Sequence, residues 1–162
     1  MTKDVKVAGV QMNPKILERE RNLEKCLDSI LIAAEAGARL IVFPECALTG
    51  YCFSDREEAL SIAETIPGQS SKTIASLCKE LDVHVVLGLI EKSRGKIYNT
   101  AAFLGPKSLI GKHRKAHLPY IGFDRFADRG GNPFRVYQTS IGRIGINICF
   151  EARFPEAARI MA

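Results

Sequence analysis

The stretch Val83-His84-Val85-Val86-Leu87-Gly88-Leu89-Ile90, then Ser93-Arg94-Gly95, then Ile97-Tyr98-Asn99-Thr100-Ala101-Ala102-Phe103-Leu104, decides the fold class. Two apolar, β-prone runs on either side of a glycine-bearing turn predict a hairpin. Upstream, Ile74, Leu77, Cys78 and Leu81 recur at helical spacing, with Ser70 or Ser71 as the expected cap. Further back, Leu40–Phe43 before Pro44 reads as a buried strand, and Cys46–Ser54 as a loop. A helix is expected from about Glu18 to Ala36, with Leu23, Cys26, Leu27, Ile30, Leu31 and Ala34 on one face and Gly37 as its stop. Val5–Gln11 alternates like a strand and ends at Asn13-Pro14. Downstream, Gly105-Pro106 and Gly111 read as breaks, and Lys112–Gly131 as irregular and charged. Phe134–Thr139 and Arg143–Cys149 form two more strands around a turn at Ser140–Gly142, and a helix starts near Pro155. The order β-α-β-α-β-β-β-β-α predicts an α/β domain, a mixed sheet covered by helices on one face.

A chain of 162 residues, 46% hydrophobic and 25% charged, suits one globular domain with a sizeable core. No apolar run approaches the roughly 20 residues that span a bilayer. The N-terminus opens with charge and lacks a signal-peptide core, so a cytoplasmic, membrane-free protein is expected. The net charge of +5 concentrates around Lys112, His113, Arg114 and Lys115. Without aromatic interleaving or a nucleic-acid motif, this cluster reads as a solvated surface plus a site for an anionic substrate, with no nucleic acid. Five cysteines, an odd number with no CxxC pair, suit a reduced compartment and give no metal-ligand pattern. Cys26 and Cys78 fall on apolar helix faces, where cysteine is a small core residue.

Three segments put a reactive side chain just past a strand or in a loop. In Phe43-Pro44-Glu45-Cys46-Ala47-Leu48-Thr49-Gly50-Tyr51, the glutamate after a buried strand is suited to a general base, and reads equally as an ordinary strand-end carboxylate. In His113-Arg114-Lys115-Ala116-His117-Leu118-Pro119, the alternatives are a lysine that steadies an oxyanion and a solvated charge run. In Gly145-Ile146-Asn147-Ile148-Cys149-Phe150-Glu151-Ala152-Arg153-Phe154-Pro155-Glu156, a cysteine between strand and helix is placed as an exposed nucleophile. Its thiol pKa is expected to be lowered by positive neighbours. The alternative is a buried structural thiol.

Together and in this order, the segments resemble the nitrilase superfamily of carbon–nitrogen hydrolases, in its amidase-like branch. The resemblance rests on Phe43-Pro44-Glu45, Lys115-Ala116-His117-Leu118-Pro119 and Cys149-Phe150-Glu151. It extends to the opening Val7-Ala8-Gly9-Val10-Gln11-Met12, Leu48-Thr49-Gly50-Tyr51, Tyr98-Asn99-Thr100 and Arg153-Phe154-Pro155-Glu156. It implies a four-layer α-β-β-α sandwich and a Glu45–Lys115–Cys149 triad. Glu45 is the implied base, Cys149 the nucleophile, and Lys115 with the Phe150 N–H the oxyanion donors. Many members carry a second glutamate after the lysine motif; Asp124, one methylene shorter, stands nearest that place. Tyr51 is an expected supporting residue. Cys46 and Cys52 are expected to be wall residues. No metal or cofactor is implied.

Cys149-Phe150-Glu151-Ala152-Arg153-Phe154-Pro155-Glu156 resembles the amidases more than the true nitrilases. The implied reaction is hydrolysis of a small linear amide, an ω-amide or a carbamoyl compound, through a cysteine thioester that releases ammonia or an amine. Arg153 is expected either to hold a substrate carboxylate or to pair with Glu151 or Glu156. Family members are longer, so residues 1–162 read as the N-terminal portion of such a domain, truncated at the C-terminus, with exposed sheet edges. The alternative to an enzyme is an inactive remnant or partner module; nitrilase and N-acyltransferase activity are lesser alternatives. The family also implies a homo-oligomer, at least a dimer, paired through helices near the site.

Overall fold

In the computed structural model, which describes residues 4–131 and 134–162, the hairpin lies inside a five-stranded sheet. The charged opening Met1–Lys3 lies outside the described residues. Strands β1 (Val7–Gly9), β2 (Leu40–Val42) and β3 (His84–Ser93) are parallel. Strands β4 (Lys96–Gly105) and β5 (Ser108–Arg114) return antiparallel, giving the order β1-β2-β3-β4-β5. Helix α1 (Arg19–Glu35) crosses from β1 to β2, and α2 (Arg56–Ile62) and α3 (Gln69–Leu81) lead from β2 to β3.

Period-two alternation divides the sheet into two apolar faces. Val85, Leu87, Leu89, Ala102 and Leu104 pack with Cys26 and Ile30 of α1 and Ile74 and Cys78 of α3. Val86, Ala101 and Phe103 pack the other way, against Ile144, Ile146 and Ile148. Those isoleucines belong to a second, two-stranded sheet, β6 (Val136–Thr139) with β7 (Gly142–Gly145), and to the extended residues after it. Ile144 faces the large sheet, so its neighbour Gly145 faces outward, towards Met161 of α4 (Pro155–Met161). Helices, large sheet, small sheet and helix thus follow in α-β-β-α order. Full burial of a Leu, Ile or Phe side chain is worth about 1.5–3 kcal/mol. The layer between the sheets, filled by fully buried Phe103, is therefore a main source of cohesion.

Several elements depart from the sequence expectation. Gly105-Pro106 falls at the turn between β4 and β5, but Gly111 does not break the chain, because Ser108–Arg114 is the edge strand β5. Gly111 is a close approach: a Cβ there would run into the Tyr137 ring, so the second sheet can lie flat on the first. The segment Arg56–Ile62, given no element from sequence, is a helix whose Asp55 side chain accepts from the Glu58 N–H at 2.8 Å. The N-cap of α3 is Gly68, not Ser70 or Ser71; both serines are buried in the first turn, where the Ser71 hydroxyl accepts from the Gly68 N–H at 2.8 Å. Leu31, counted with the apolar face of α1, is 47% exposed. Strand β7 ends at Gly145, and Cys149 opens a separate 3-10 turn, Cys149–Arg153.

Candidate functional site

Glu45 follows β2 on a tight loop that crosses directly over β3. Gly88 permits this: a Cβ there would meet Pro44 O and lie 2.7 Å from the Cys46 N and 2.9 Å from the Glu45 Cα. The loop is fixed by Leu48 N–H to Gly88 O and by Gly50 N–H to Cys46 O at 2.9 Å. Lys115 follows β5, its N–H bonded to Asn99 O of β4 at 2.8 Å and its carbonyl accepting from Gly130 N–H at 2.9 Å. Both side chains therefore emerge on the face of the large sheet that meets the second sheet.

On that face they form one network. The Lys115 ammonium, 1% exposed, lies 2.6 Å from Glu45 Oε1 and 2.6 Å from Asp124 Oδ2. Asn99 Nδ2 donates to the same two carboxylates, at 2.6 Å to Glu45 Oε1 and 2.8 Å to Asp124 Oδ1. The Tyr51 hydroxyl lies 3.0 Å from Asp124 Oδ2 and 3.0 Å from Ile121 O. Burial alone would depress the Lys115 pKa, but hydrogen bonds with Asp124 and Glu45 and their charges outweigh it, so the ammonium is held above its ordinary value. Burial, then Asp124 and Glu45, push the Tyr51 phenol up, which keeps it a neutral donor.

Cys149 reaches this network from the second sheet. Glu45, Cys149, Asn99 and Gly88 line one cleft of about 160 Å³ between the sheets, floored by Val86, Ala101 and Ile148. Cys149 is exposed and has φ +47°, the left-handed region, a strained backbone of the kind concentrated at functional sites. Its thiol pKa is raised, not lowered as expected from positive neighbours. Partial desolvation and the Glu45 carboxylate push it up, and outweigh Lys115 and the Phe150 N–H, which pull it down. The Phe150 N–H thus lies close to the sulfur.

The hydrogen-bond inventory says what this arrangement can do. Glu45 Oε1 is occupied by Lys115 and Asn99, which leaves Oε2 as the acceptor beside the thiol. An ammonium carries three protons, and two of those on Lys115 are engaged, so a third remains for a developing negative charge. The Glu45 carboxylate and the Cys149 thiol thus both line the cleft, with the Lys115 ammonium buried directly behind Glu45.

The turn bearing Cys149 is tied to the large sheet through Glu151, which is fully buried. Its carboxylate accepts from His113 Nε2 at 2.7 Å, Ala116 N–H at 2.7 Å and Ile148 N–H at 2.9 Å. Burial would raise the Glu151 pKa, but His113 and the backbone donors outweigh it and hold it below the usual glutamate value.

Of the expected supporting residues, Asp124 and Tyr51 join the network, and the shorter aspartate reaches Lys115 all the same. Phe150 packs edge-on against Phe154. Arg153 is exposed, lies outside the cleft lining, and among the described residues pairs with neither Glu151 nor Glu156. Cys46 lies behind the cleft in a cluster with Phe53 and Phe123, its thiol pushed up by burial and by Glu45. Cys52 is exposed. The sequence shows Asn99 only as part of the Tyr98-Asn99-Thr100 match; its place on β4, opposite Ile90, is the signal that singles it out. The basic cluster is not a solvated run, because β5 sends Lys112 and Arg114 to Glu91 on one face and His113 and Lys115 to carboxylates on the other. Among the described residues, no group of three His, Cys, Asp or Glu side chains is arranged to hold a metal ion, and no helix is long and apolar enough to cross a membrane.

A family model described as carbon–nitrogen hydrolase matches residues 6–162. A protein named nitrilase from Pyrococcus abyssi is 42% identical over 159 residues, covering 98% of this chain and 60% of that protein. Omega-amidase NIT2-B of Xenopus laevis is 37% identical over 150 residues, covering 87% of this chain and 53% of that protein. Among solved structures, Nit3 of Saccharomyces cerevisiae, a member of branch 10 of the nitrilase superfamily, matches with a TM-score of 0.82 at 26% identity, over 97% of this chain and 59% of that one. A carbon–nitrogen hydrolase from Helicobacter pylori G27 matches in fold with a TM-score of 0.87 at 24% identity, over 97% of this chain and 55% of that one. The chain spans between 53% and 60% of the length of these four proteins.

Proposed function

Because the chain belongs to the carbon–nitrogen hydrolase family, we propose that it supplies the Glu45–Lys115–Cys149 machinery for hydrolysing a small linear amide or carbamoyl compound. The observation that carries this reading is the free Oε2 of Glu45 beside an exposed thiol, with its other oxygen occupied by Lys115 and Asn99. A thiol whose pKa is raised stays protonated near neutrality and needs a base, which supports Glu45 in that role. The omega-amidase name of several relatives supports an amide over a nitrile.

In the proposed reaction, Glu45 takes the Cys149 proton and the thiolate forms a C–S bond to the amide carbon. The carbonyl π electrons move to oxygen, where the remaining Lys115 proton and the Phe150 N–H stabilise the charge. As the tetrahedral species collapses, the C–N bond breaks and the amine or ammonia leaves with the proton from Glu45. Glu45 then deprotonates a water, which attacks the thioester and releases a carboxylic acid and the free thiol. Asp124 and Asn99 orient Lys115 and Glu45 throughout.

The same reading takes residues 1–162 as the N-terminal portion of the family domain, working in the cytoplasm as at least a homodimer. The five free thiols support a reducing setting, and the exposed Ile160 on α4 supports assembly through that helix. The test is intact-mass spectrometry and ammonia release with a panel of small amides. A Cys149-linked acyl adduct that Cys149→Ala abolishes is expected. A folded sample giving neither adduct nor ammonia would sink the reading in favour of an inactive remnant or partner module.

A further inference from the structure

We propose that Glu151 is a positioning residue that straps the turn bearing Cys149 to the strand end bearing Lys115, and so sets the spacing of thiol, ammonium and base. The inference rests on the reaction proposed above, to which it adds a residue that does not touch substrate.

The two halves of the site come from different layers. Glu45, Asn99 and Lys115 belong to the large sheet, and Cys149 to the segment after the small one. Between the layers the contacts are mainly apolar, through Ala101, Phe103, Ile146 and Ile148. Apolar contact is non-directional, so by itself it leaves the layers free to slide by fractions of an ångström. Glu151 supplies direction. Its three partners lie on both sides of the junction: Ile148 N–H at 2.9 Å belongs to the nucleophile turn, and Ala116 N–H and His113 Nε2, both at 2.7 Å, belong to the β5 end. Ala116 is the residue directly after Lys115, so the strap acts one peptide away from the ammonium.

The same carboxylate braces the strained backbone of Cys149. Its bond to Ile148 N–H fixes the residue before the positive φ, and Glu151 N–H to Ile148 O at 3.0 Å closes the turn. Strain of this kind persists only where the surroundings over-determine it. His113 is held in turn by stacking on Phe134 at 5.1 Å, and His117, stacked on Phe154 at 4.3 Å, places Nδ1 3.8 Å from Glu151 Oε1.

Glu151→Gln keeps the shape but turns one acceptor into a donor facing a donor, so the turn must shift. Two readouts should then move in opposite directions. As the thiol leaves Glu45 and the cleft, the midpoint of its pH-dependent alkylation by iodoacetamide falls towards an ordinary cysteine, and alkylation at neutral pH speeds up about tenfold. Amide turnover falls about 100-fold in kcat with little change in KM, the scale of a 1 Å misplacement. Peptide mapping reports Cys149 alone, with exposed Cys52 as the internal reference and buried Cys26, Cys46 and Cys78 as the check on folding. His113→Leu should shift both readouts the same way by a smaller factor, and His113→Gln, which offers an N–H near the ring Nε2, should restore most of the loss.

An unchanged alkylation profile in folded Glu151→Gln overturns the assignment, as does failure of both Glu151→Gln and His113→Leu to fold, since either outcome makes Glu151 a packing residue. Alkylation reads the thiol without requiring turnover. A shifted profile in a protein that hydrolyses no amide leaves the strap standing and removes only the proposed reaction.

Discussion

Two buried ion clusters stand back to back on the β3–β4–β5 ribbon, and their difference separates structure from chemistry. On the helix side, Glu91 accepts from Lys112, from Arg114 at 2.6 and 2.8 Å, and from Thr100 at 3.0 Å. Arg114 also lies over the Tyr98 ring, 3.9 Å from its centre. On the cleft side, one ammonium, that of Lys115, serves two carboxyl groups, those of Glu45 and Asp124. The cation-to-carboxyl ratio is thus two to one at Glu91 and one to two at Lys115. The first cluster saturates its carboxylate, and Glu91, Lys112 and Arg114 lie outside the cleft lining; among the described residues the second leaves a carboxylate oxygen and an ammonium proton unspent near an exposed thiol. Saturation makes a strut, and an unspent acceptor makes a candidate base.

The largest effect that could break this comparison is expected at Lys115. Lys115→Met keeps the aliphatic stem and removes the charge, so turnover should fall about 100- to 1000-fold, as on losing an oxyanion donor. The two carboxylates would also lose their shared cation, so single-turnover acylation should slow along with steady-state rate. Rapid-quench measurement of the acyl-enzyme would show it. A variant that acylates at the wild-type rate would mean that the cleft cluster, like the Glu91 cluster, is only a strut.

How the chain separates these clusters was only partly legible in its sequence. Phe43-Pro44-Glu45 and Cys149 could be picked out because each follows an apolar strand, which local pattern reports well, and Lys115 through its Lys-Ala-His-Leu-Pro motif. β5 could not, because Gly111 looks like a break until the Tyr137 ring is seen to need its bare backbone. Misreading β5 hid the alternation that sends Lys112 and Arg114 one way and His113 and Lys115 the other, and left a charge run where two ordered clusters exist. The roles of Asn99 and Glu151 depend on partners 25 to 54 residues away, which no local window contains. The sign of the Cys149 shift was misread for a related reason: the basic neighbours in sequence were visible, but burial in the cleft and then Glu45, more than 100 positions earlier, push the thiol up. The α2 helix was given no element from sequence, although Asp55 and Glu58 stand at capping spacing ahead of Ala59 and Ile62, which is a start signal.

The middle-sized effect is expected on the strut. Breaking a buried ion pair by removing one partner costs about 3–5 kcal/mol. Lys112 and Arg114 keep 26% and 18% of their side-chain exposure, so Glu91→Gln should cost about 3 kcal/mol, the lower end. Urea unfolding would read it, and Cys149 alkylation in the folded variant should keep its wild-type pH profile. Burial by itself would raise the Glu91 pKa, but hydrogen bonds from Arg114 and Lys112 outweigh it and hold it below the usual glutamate value of 4.5. A depressed carboxylate contributes stability that is full above the unfolded-state pKa and lost as pH falls through the folded one. Wild-type stability should therefore decline below about pH 4.5, and Glu91→Gln should flatten part of that decline. Glu151, depressed in the same sense, accounts for a remaining part.

The smallest effect is expected where the two kinds of cluster meet in one residue. The Tyr51 hydroxyl has a single proton and two acceptors at equal distance, Asp124 Oδ2 and Ile121 O. Donation to Asp124 would make it part of the cleft network; donation to Ile121 would make it a brace for the exposed loop carrying Tyr120 and Ile121. Tyr51→Phe removes one neutral hydrogen bond, worth about 1 kcal/mol, and leaves the ring packed in its cluster. If Asp124 is the acceptor, the loss falls on Lys115, and kcat should drop up to about fivefold while the urea midpoint hardly moves, since 1 kcal/mol is about a factor of five. If Ile121 is the acceptor, stability should fall by about 1 kcal/mol with kcat unchanged. The burial of Asp124 favours the first outcome, because among the described residues its Oδ2 would otherwise keep Lys115 as its only donor.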